Sequence, residues 1–143
     1  MILADVNVLV YAHREDAPDH SRYFKWLVDA LAGSEPFGVN DHILSGVLRV
    51  VTHPRVFASP TPLDAALHFV NEVRDAPAAV TVQPGIRFWS TFEELCRSSG
   101  ARGNLIPDAY FAALAIESGS RWFSSDRDYA RFRGLDWSHP LDT

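Results

Sequence analysis

Short apolar runs that alternate with amphipathic stretches predict an α/β protein, a three-layer α/β/α sandwich around a central, mostly parallel sheet. Three observations carry that prediction. The chain opens on an apolar run, Ile2 to Ala4, that closes on an acid, Asp5. A second run, Arg121 to Ser124, meets an acid in the same way far downstream, at Asp126. Between them lie stretches whose apolar residues recur at helical spacing, so that strand follows strand through helices, the pattern of right-handed parallel crossovers.

Taken in order, Ile2 to Ala4 reads as a buried strand and Val6 to Ala12 as a short helix packed on the sheet. From Ser21 the stripe Phe24, Leu27, Val28 and Leu31 predicts a helix stopped by Gly33, with Pro36 and Gly38 as a loop. Ile43, Leu44, Val47, Leu48 and Val51 form a second stripe. It ends at His53 and Pro54, because the residue before proline is pushed out of helical geometry. Gly46 lies inside this helix, where glycine costs about 0.8–1 kcal/mol relative to alanine, so a packing or backbone-access reason is expected. Pro60-Thr61-Pro62 opens a third helix with Leu63, Ala66, Leu67 and Val70 inward. Ala78 to Val82 is strand-like, and a helix with Phe88, Phe92 and Leu95 runs from Pro84 and Gly85 to Gly100 and Gly103. The helix from Pro107 buries Ala109, Ala112, Ala113 and Ile116, stops at Gly119 and feeds the strand Arg121 to Ser124. A short helix through Tyr129 to Phe132 and an edge strand over Leu135 to Trp137 complete the pattern.

With 143 residues and 47% hydrophobic content, the chain fits one domain over 1–143 that buries roughly two thirds of its unfolded surface. The single cysteine, Cys96, has no partner for an intramolecular disulfide and no zinc-type spacing, which favours a reducing interior. No apolar stretch approaches the length of a membrane span, and Met1 leads directly into a strand without a basic segment or signal-type cleavage site. The expectation is a soluble cytoplasmic protein with no membrane partner. A net charge of −5 argues against broad electrostatic attachment to nucleic acid, which draws its affinity from Lys and Arg on phosphates. It leaves room for a nuclease whose excess acid is concentrated in a metal site. Arg49, Arg55, Arg97, Arg102, Arg121, Arg127, Arg131 and Arg133 form either a local basic rim or solvated helix faces.

Asp5, Asp108 and Asp126 are the candidate catalytic and metal-ligating residues. The first and third stand where apolar runs meet loops, and the second opens an amphipathic helix, so all three can converge at one end of the sheet. Hard carboxylate oxygens suit Mg²⁺ or Mn²⁺, ions that polarise phosphate and generate a nucleophilic hydroxide. Each acid also has a local reading: Asp5 and Asp126 as helix N-caps, and Asp108 as a first-turn acid after Pro107 at the first helical position. Asp128 either supports Asp126 or faces water, and Asn7 either orients Asp5 or a metal-bound water or serves a local turn. Ser124 and Ser125 offer hydroxyls to a phosphate or to Asp126, or act as caps. The six histidines show no H-E-x-x-H, and there is no G-x-S-x-G, P-loop or G-x-G-x-x-G, which removes support for zinc, serine-hydrolase, NTPase and dinucleotide chemistry.

The opening D-V-N-V-L-V-Y-A, the segments L-S-G-V-L-R-V-V-T-H-P-R-V-F and G-N-L-I-P-D-A-Y-F-A-A-L-A-I-E-S-G, and the closing S-S-D-R-D-Y-A-R-F together resemble PIN-domain proteins, specifically VapC-type toxins of bacterial toxin–antitoxin pairs. The resemblance implies a compact sandwich with a parallel sheet, a Mg²⁺- or Mn²⁺-dependent endoribonuclease acting on an RNA substrate, a homodimer, and inhibition by a small cognate VapB-type antitoxin. By position, Asp5, Asp108 and Asp126 match the family's acidic metal-binding residues and Asp128 a frequent accessory acid. Gly46 stands where the family's glutamate is expected, with Asp41 and Glu117 as the acids that can partly substitute. Two rivals follow: a PIN-like module that binds RNA or antitoxin without cutting, and an Asp-based phosphatase or phosphoacceptor domain. The second lacks its usual parts, since Asn7 occupies the place of the second acid and Lys25, the only lysine, lies in the wrong helix.

Overall fold

In the computed structural model, which describes residues 1–142, five short strands form one sheet in the order β3-β2-β1-β4-β5. They are β1 (Ile2–Ala4), β2 (Phe37–Val39), β3 (Ala79–Thr81), β4 (Arg121–Phe123) and β5 (Trp137–Ser138), and every pairing is parallel. Six helices flank it: α1 (Val6–His13), α2 (His20–Ala32), α3 (Asp41–Val51), α4 (Leu63–Arg74), α5 (Phe88–Ser99) and α6 (Leu105–Ser118). The predicted sandwich is therefore present. No helix among the described residues is long and apolar enough to cross a membrane.

The strand order locates the functional end. From β1 to β3 the chain steps in one direction across the sheet, and from β3 to β4 it reverses to the other side of β1. Right-handed crossovers then put the helices of the two halves on opposite faces and leave a crevice between the carboxyl ends of β1 and β4, where the direction switches. The β1–β4 register, Ala4 against Phe123, brings the residues after both strands to that crevice. The core beneath is continuous: Leu3, Val8, Val47, Leu114 and Trp122 are fully buried.

Four sequence expectations need correction. The Pro36–Gly38 loop contains a central strand, because Phe37, Gly38 and Val39 pair with β1 on one side and β3 on the other. Glycine is tolerated in that strand because its neighbours close in on it. A Cβ at position 38 would lie 2.8 Å from Leu3 Cδ2 and 2.9 Å from Val82 Cγ2. The α2 stripe is rotated, with Tyr23 and Leu27 buried while Phe24 and Val28 stay about half exposed at 50% and 45%. In α4, Ala66, Val70 and Val73 face inward, and Leu63 and Leu67 remain exposed. Helix α6 also begins two residues before Pro107, which still falls in the first turn where its missing N–H breaks no bond. The glycine at 46 does have a packing reason: a Cβ there would meet Val6 Cγ2 at 2.9 Å, so α1 and α3 close on each other at that point.

Candidate active site

Asp5, Asp108 and Asp126 line one cavity of about 470 Å³, together with Val6, Asn7, Val10, Tyr11, Val50, Val56 and Phe57. The local and shared readings of these acids prove compatible. Asp5 is the N-cap of α1, accepting from Val6 N at 2.7 Å, and Asp126 caps a 3-10 helix over Arg127–Arg131, accepting from Asp128 N at 2.9 Å. Asp108 is a first-turn acid of α6. Capping uses one oxygen of each cap residue, while the fold aims all three carboxyl groups into the same space.

Ser124 is the hub. Fully buried at the end of β4, its hydroxyl donates to Asp5 Oδ2 at 2.7 Å and accepts from Asp126 N at 3.0 Å and Asn7 Nδ2 at 3.3 Å. One hydroxyl thus uses its donor and both acceptor directions and fixes the spacing of Asp5 against the Asp126 turn. Asn7 returns the bond through Oδ1, which accepts from Ser125 N at 3.3 Å. Of the two serines, 124 stands at the centre; Ser125 contributes its backbone amide and its side chain turns to the Tyr23 phenol. Tyr129 donates its hydroxyl to Asp108 Oδ1 at 3.2 Å. Nothing in the sequence pattern marked Tyr129 beyond its aromatic character, since its role depends on the 3-10 turn that aims it.

The charges repel. Burial pushes the Asp5 carboxyl up to about 6 against the pull of Ser124 and the Val6 amide, and the charges of Asp108 and Asp126 add to the rise. Burial likewise raises Asp108, opposed by the Tyr129 hydroxyl and Arg131 and reinforced by Asp126 and Asp128. The Tyr129 phenol, buried beside Asp5 and Asp108, is held far above its ordinary range. Asp128 is exposed and acts on the site through its charge and its amide.

Neither substitute for the acid absent at Gly46 reaches this cavity. Glu117 is spent on the loop before α5, its carboxylate accepting from Gly85 N at 2.7 Å and Arg87 N at 3.0 Å. Asp41 is exposed at the start of α3 and faces Arg74 at 3.8 Å. Of the arginines, Arg97, Arg121 and Arg127 pair with Glu93, Glu35 and Asp142, while the charge of Arg131 acts on Asp108.

As a donor set, three hard carboxylates, those of Asp5 and Asp108 with raised proton affinity, fit a small divalent cation. Among the described residues no three acidic, histidine or cysteine side chains stand close enough to grip one bare ion together. The arrangement suits an ion that keeps much of its water, as Mg²⁺ does.

These features define a carboxylate site at the switch point of a parallel α/β sheet, and the PIN-domain family model matches residues 2–135. The chain belongs to the PIN-domain family. It is 48% identical over 143 residues to ribonuclease VapC43 of Mycobacterium tuberculosis, covering 99% of this chain and 97% of that one. To ribonuclease VapC25 of the same organism it is 39% identical over 140 residues, covering 98% and 99%. Among solved structures it is similar to VapBC2 from Rickettsia felis bound to a DNA fragment from their promoter, with a TM-score of 0.71 at 16% identity over 97% of this chain and 98% of that one, a likeness of fold.

Proposed function

We propose that this protein is a Mg²⁺-dependent endoribonuclease, Mn²⁺ serving as an alternative ion, and the toxin of a VapBC-type pair. The observation that carries the reading is the convergence of Asp5, Asp108 and Asp126 on one cavity, where burial and neighbouring carboxylates raise the proton affinity of Asp5 and Asp108. The names of the relatives, ribonucleases of the VapC group, support it. Asp5, Asp108 and Asp126 would hold the ion. A divalent ion there supplies charge to neutralise a scissile phosphate and acidifies a bound water.

The chain's own residues do the positioning. Ser124 and the Val6 amide hold Asp5 in one rotamer, so its free lone pairs point into the cavity. Tyr129 tethers Asp108, and the Asp128 amide fixes Asp126. Such second-layer hydrogen bonds orient ligands and typically matter by 10–100-fold. RNA enters single-stranded or looped, where its backbone is free to approach the cleft. A small VapB-type antitoxin and homodimer assembly belong to the same reading, the former supported by the neighbouring VapBC structure.

Incubation of the purified chain with a mixed RNA pool tests it. Cleavage is expected with Mg²⁺, and its loss with EDTA or in Asp126→Asn; undiminished cutting by that variant removes the mechanism. Gly46 favours a second reading, a PIN-like module that binds RNA or antitoxin without turnover. Mg²⁺-dependent product accumulation decides against it.

A further inference from the structure

We infer that the apolar half of this cavity is a docking shelf for one unpaired base of the RNA, and that Arg14 is the positioning residue that holds the shelf. The inference rests on the ribonuclease reading and names the substrate feature it selects. The lining of this cavity is divided in kind. Here the acids occupy one part, and Tyr11, Val50, Val56 and Phe57 make up another. A nucleotide has the same division, an anionic phosphate joined to a flat, largely apolar base. Val56 is 54% exposed, so a base covering it would remove apolar surface from water. Tyr11 leans on Tyr23 at 5.1 Å between ring centroids, and its hydroxyl hydrogen-bonds to no protein group among the described residues.

Val56 and Phe57 lie on the connection between α3 and α4, which has no strand or helix of its own. Their amides both donate to His53 O at 3.1 Å, and Arg14 fastens the rest. Its guanidinium, buried at the end of α1, lies over the Phe57 ring at 4.0 Å. Nη1 donates to Ser59 O at 2.8 Å and to Thr61 Oγ1 at 3.2 Å, while Nε and Nη2 fork onto Asp16 at 2.9 and 2.6 Å. Arg14 is thus committed to the loop and to Asp16, not free for phosphate, and it acts on substrate through Phe57. The overall charge of −5 makes such a shelf useful, because base stacking supplies affinity that phosphate neutralisation here does not.

The test uses an unstructured RNA oligonucleotide containing all four bases, cut in Mg²⁺ with the position mapped, and copies of it carrying one abasic site moved along the strand. Phe57→Ala is expected to raise KM and lower kcat/KM by about ten- to a hundred-fold, the size of one base–aromatic stack, with kcat less affected. Tyr11→Phe should give a smaller loss. Arg14→Lys, which keeps the charge but not the fork, should follow Phe57→Ala in direction, with a melting curve confirming that it folds. One abasic position should weaken the wild type and have no further effect in Phe57→Ala. Two results overturn the inference alone: Phe57→Ala cutting like wild type, or abasic and Phe57→Ala losses that multiply at every position. A wild type that cuts no RNA overturns the parent reading and this inference with it.

Discussion

Two charged regions of the same molecule, both adjoining Phe57, are finished to different degrees. Around Arg14 a buried cation meets a carboxylate, two oxygens of the loop and an aromatic face. Around Ser124 the opposite holds: three carboxylates share a cavity, and hydrogen bonds from Ser124, Val6, Tyr129 and Asp128, with the charge of Arg131 near Asp108, temper their repulsion only in part. The first region needs nothing more to be stable. The second stores unfavourable free energy that a cation would relieve, which is how function departs from stability within one core.

The largest expected effect breaks the second region's chemistry. Asp126→Asn should lower RNA cleavage in Mg²⁺ by on the order of 10²–10³-fold, as removal of one preorganised electrostatic group does, without loss of melting temperature. Initial rates on a labelled RNA check it.

Next in size is the stability stored at Asp5. Its folded carboxyl titrates near 6 against an ordinary 3.8, so between those values the folded chain holds a proton that the unfolded chain has released. Stability therefore falls as pH rises through that window and remains lowered above it. Asp5→Asn, which keeps a capping oxygen, should be more stable than wild type by up to roughly 3 kcal/mol at pH 7 without divalent ions. The gain should vanish below about pH 4, where wild-type Asp5 is protonated in both states. Urea denaturation at several pH values measures both.

The same substitution logic applied to the finished region has the opposite sign. Arg14→Ala should cost about 2–3 kcal/mol in urea denaturation at every pH from 5 to 8, because it removes charge-assisted hydrogen bonds and stem packing together. Smallest is Glu117→Gln, expected to cost about 1 kcal/mol or less, since one amide oxygen replaces two carboxylate oxygens facing the Gly85 and Arg87 amides near solvent.

The sheet and its acids were legible because they rest on local signals. Apolar runs that stop at an acid mark β1 and β4, and the alternation of strands with helices sets their common direction. Strand β2 was hidden because its reason is tertiary: Gly38 in a three-residue strand looks like a turn until Leu3 and Val82 are seen closing on it. The helix faces of α2 and α4 were misread because, where both candidate stripes are apolar, neighbours decide which is buried. Within the site, Asp5, Asp108, Asp126 and Asn7 could be named from their positions. The hub role of Ser124 over Ser125 could not, because adjacent residues at a strand end point opposite ways and only the register chooses. Arg14 carried no signal, its partners Ser59 and Thr61 being some 45 residues away in sequence.

The central claim, that one divalent cation relieves the repulsion among Asp5, Asp108 and Asp126, is tested most directly by melting temperature against Mg²⁺ concentration at pH 7. Wild type should rise with added Mg²⁺, by about 2.7 kcal/mol of stability at a hundred times the dissociation constant, and the rise should be lost in Asp5→Asn, Asp108→Asn and Asp126→Asn. A wild type indifferent to Mg²⁺ and Mn²⁺, or three variants that respond as wild type does, would contradict it.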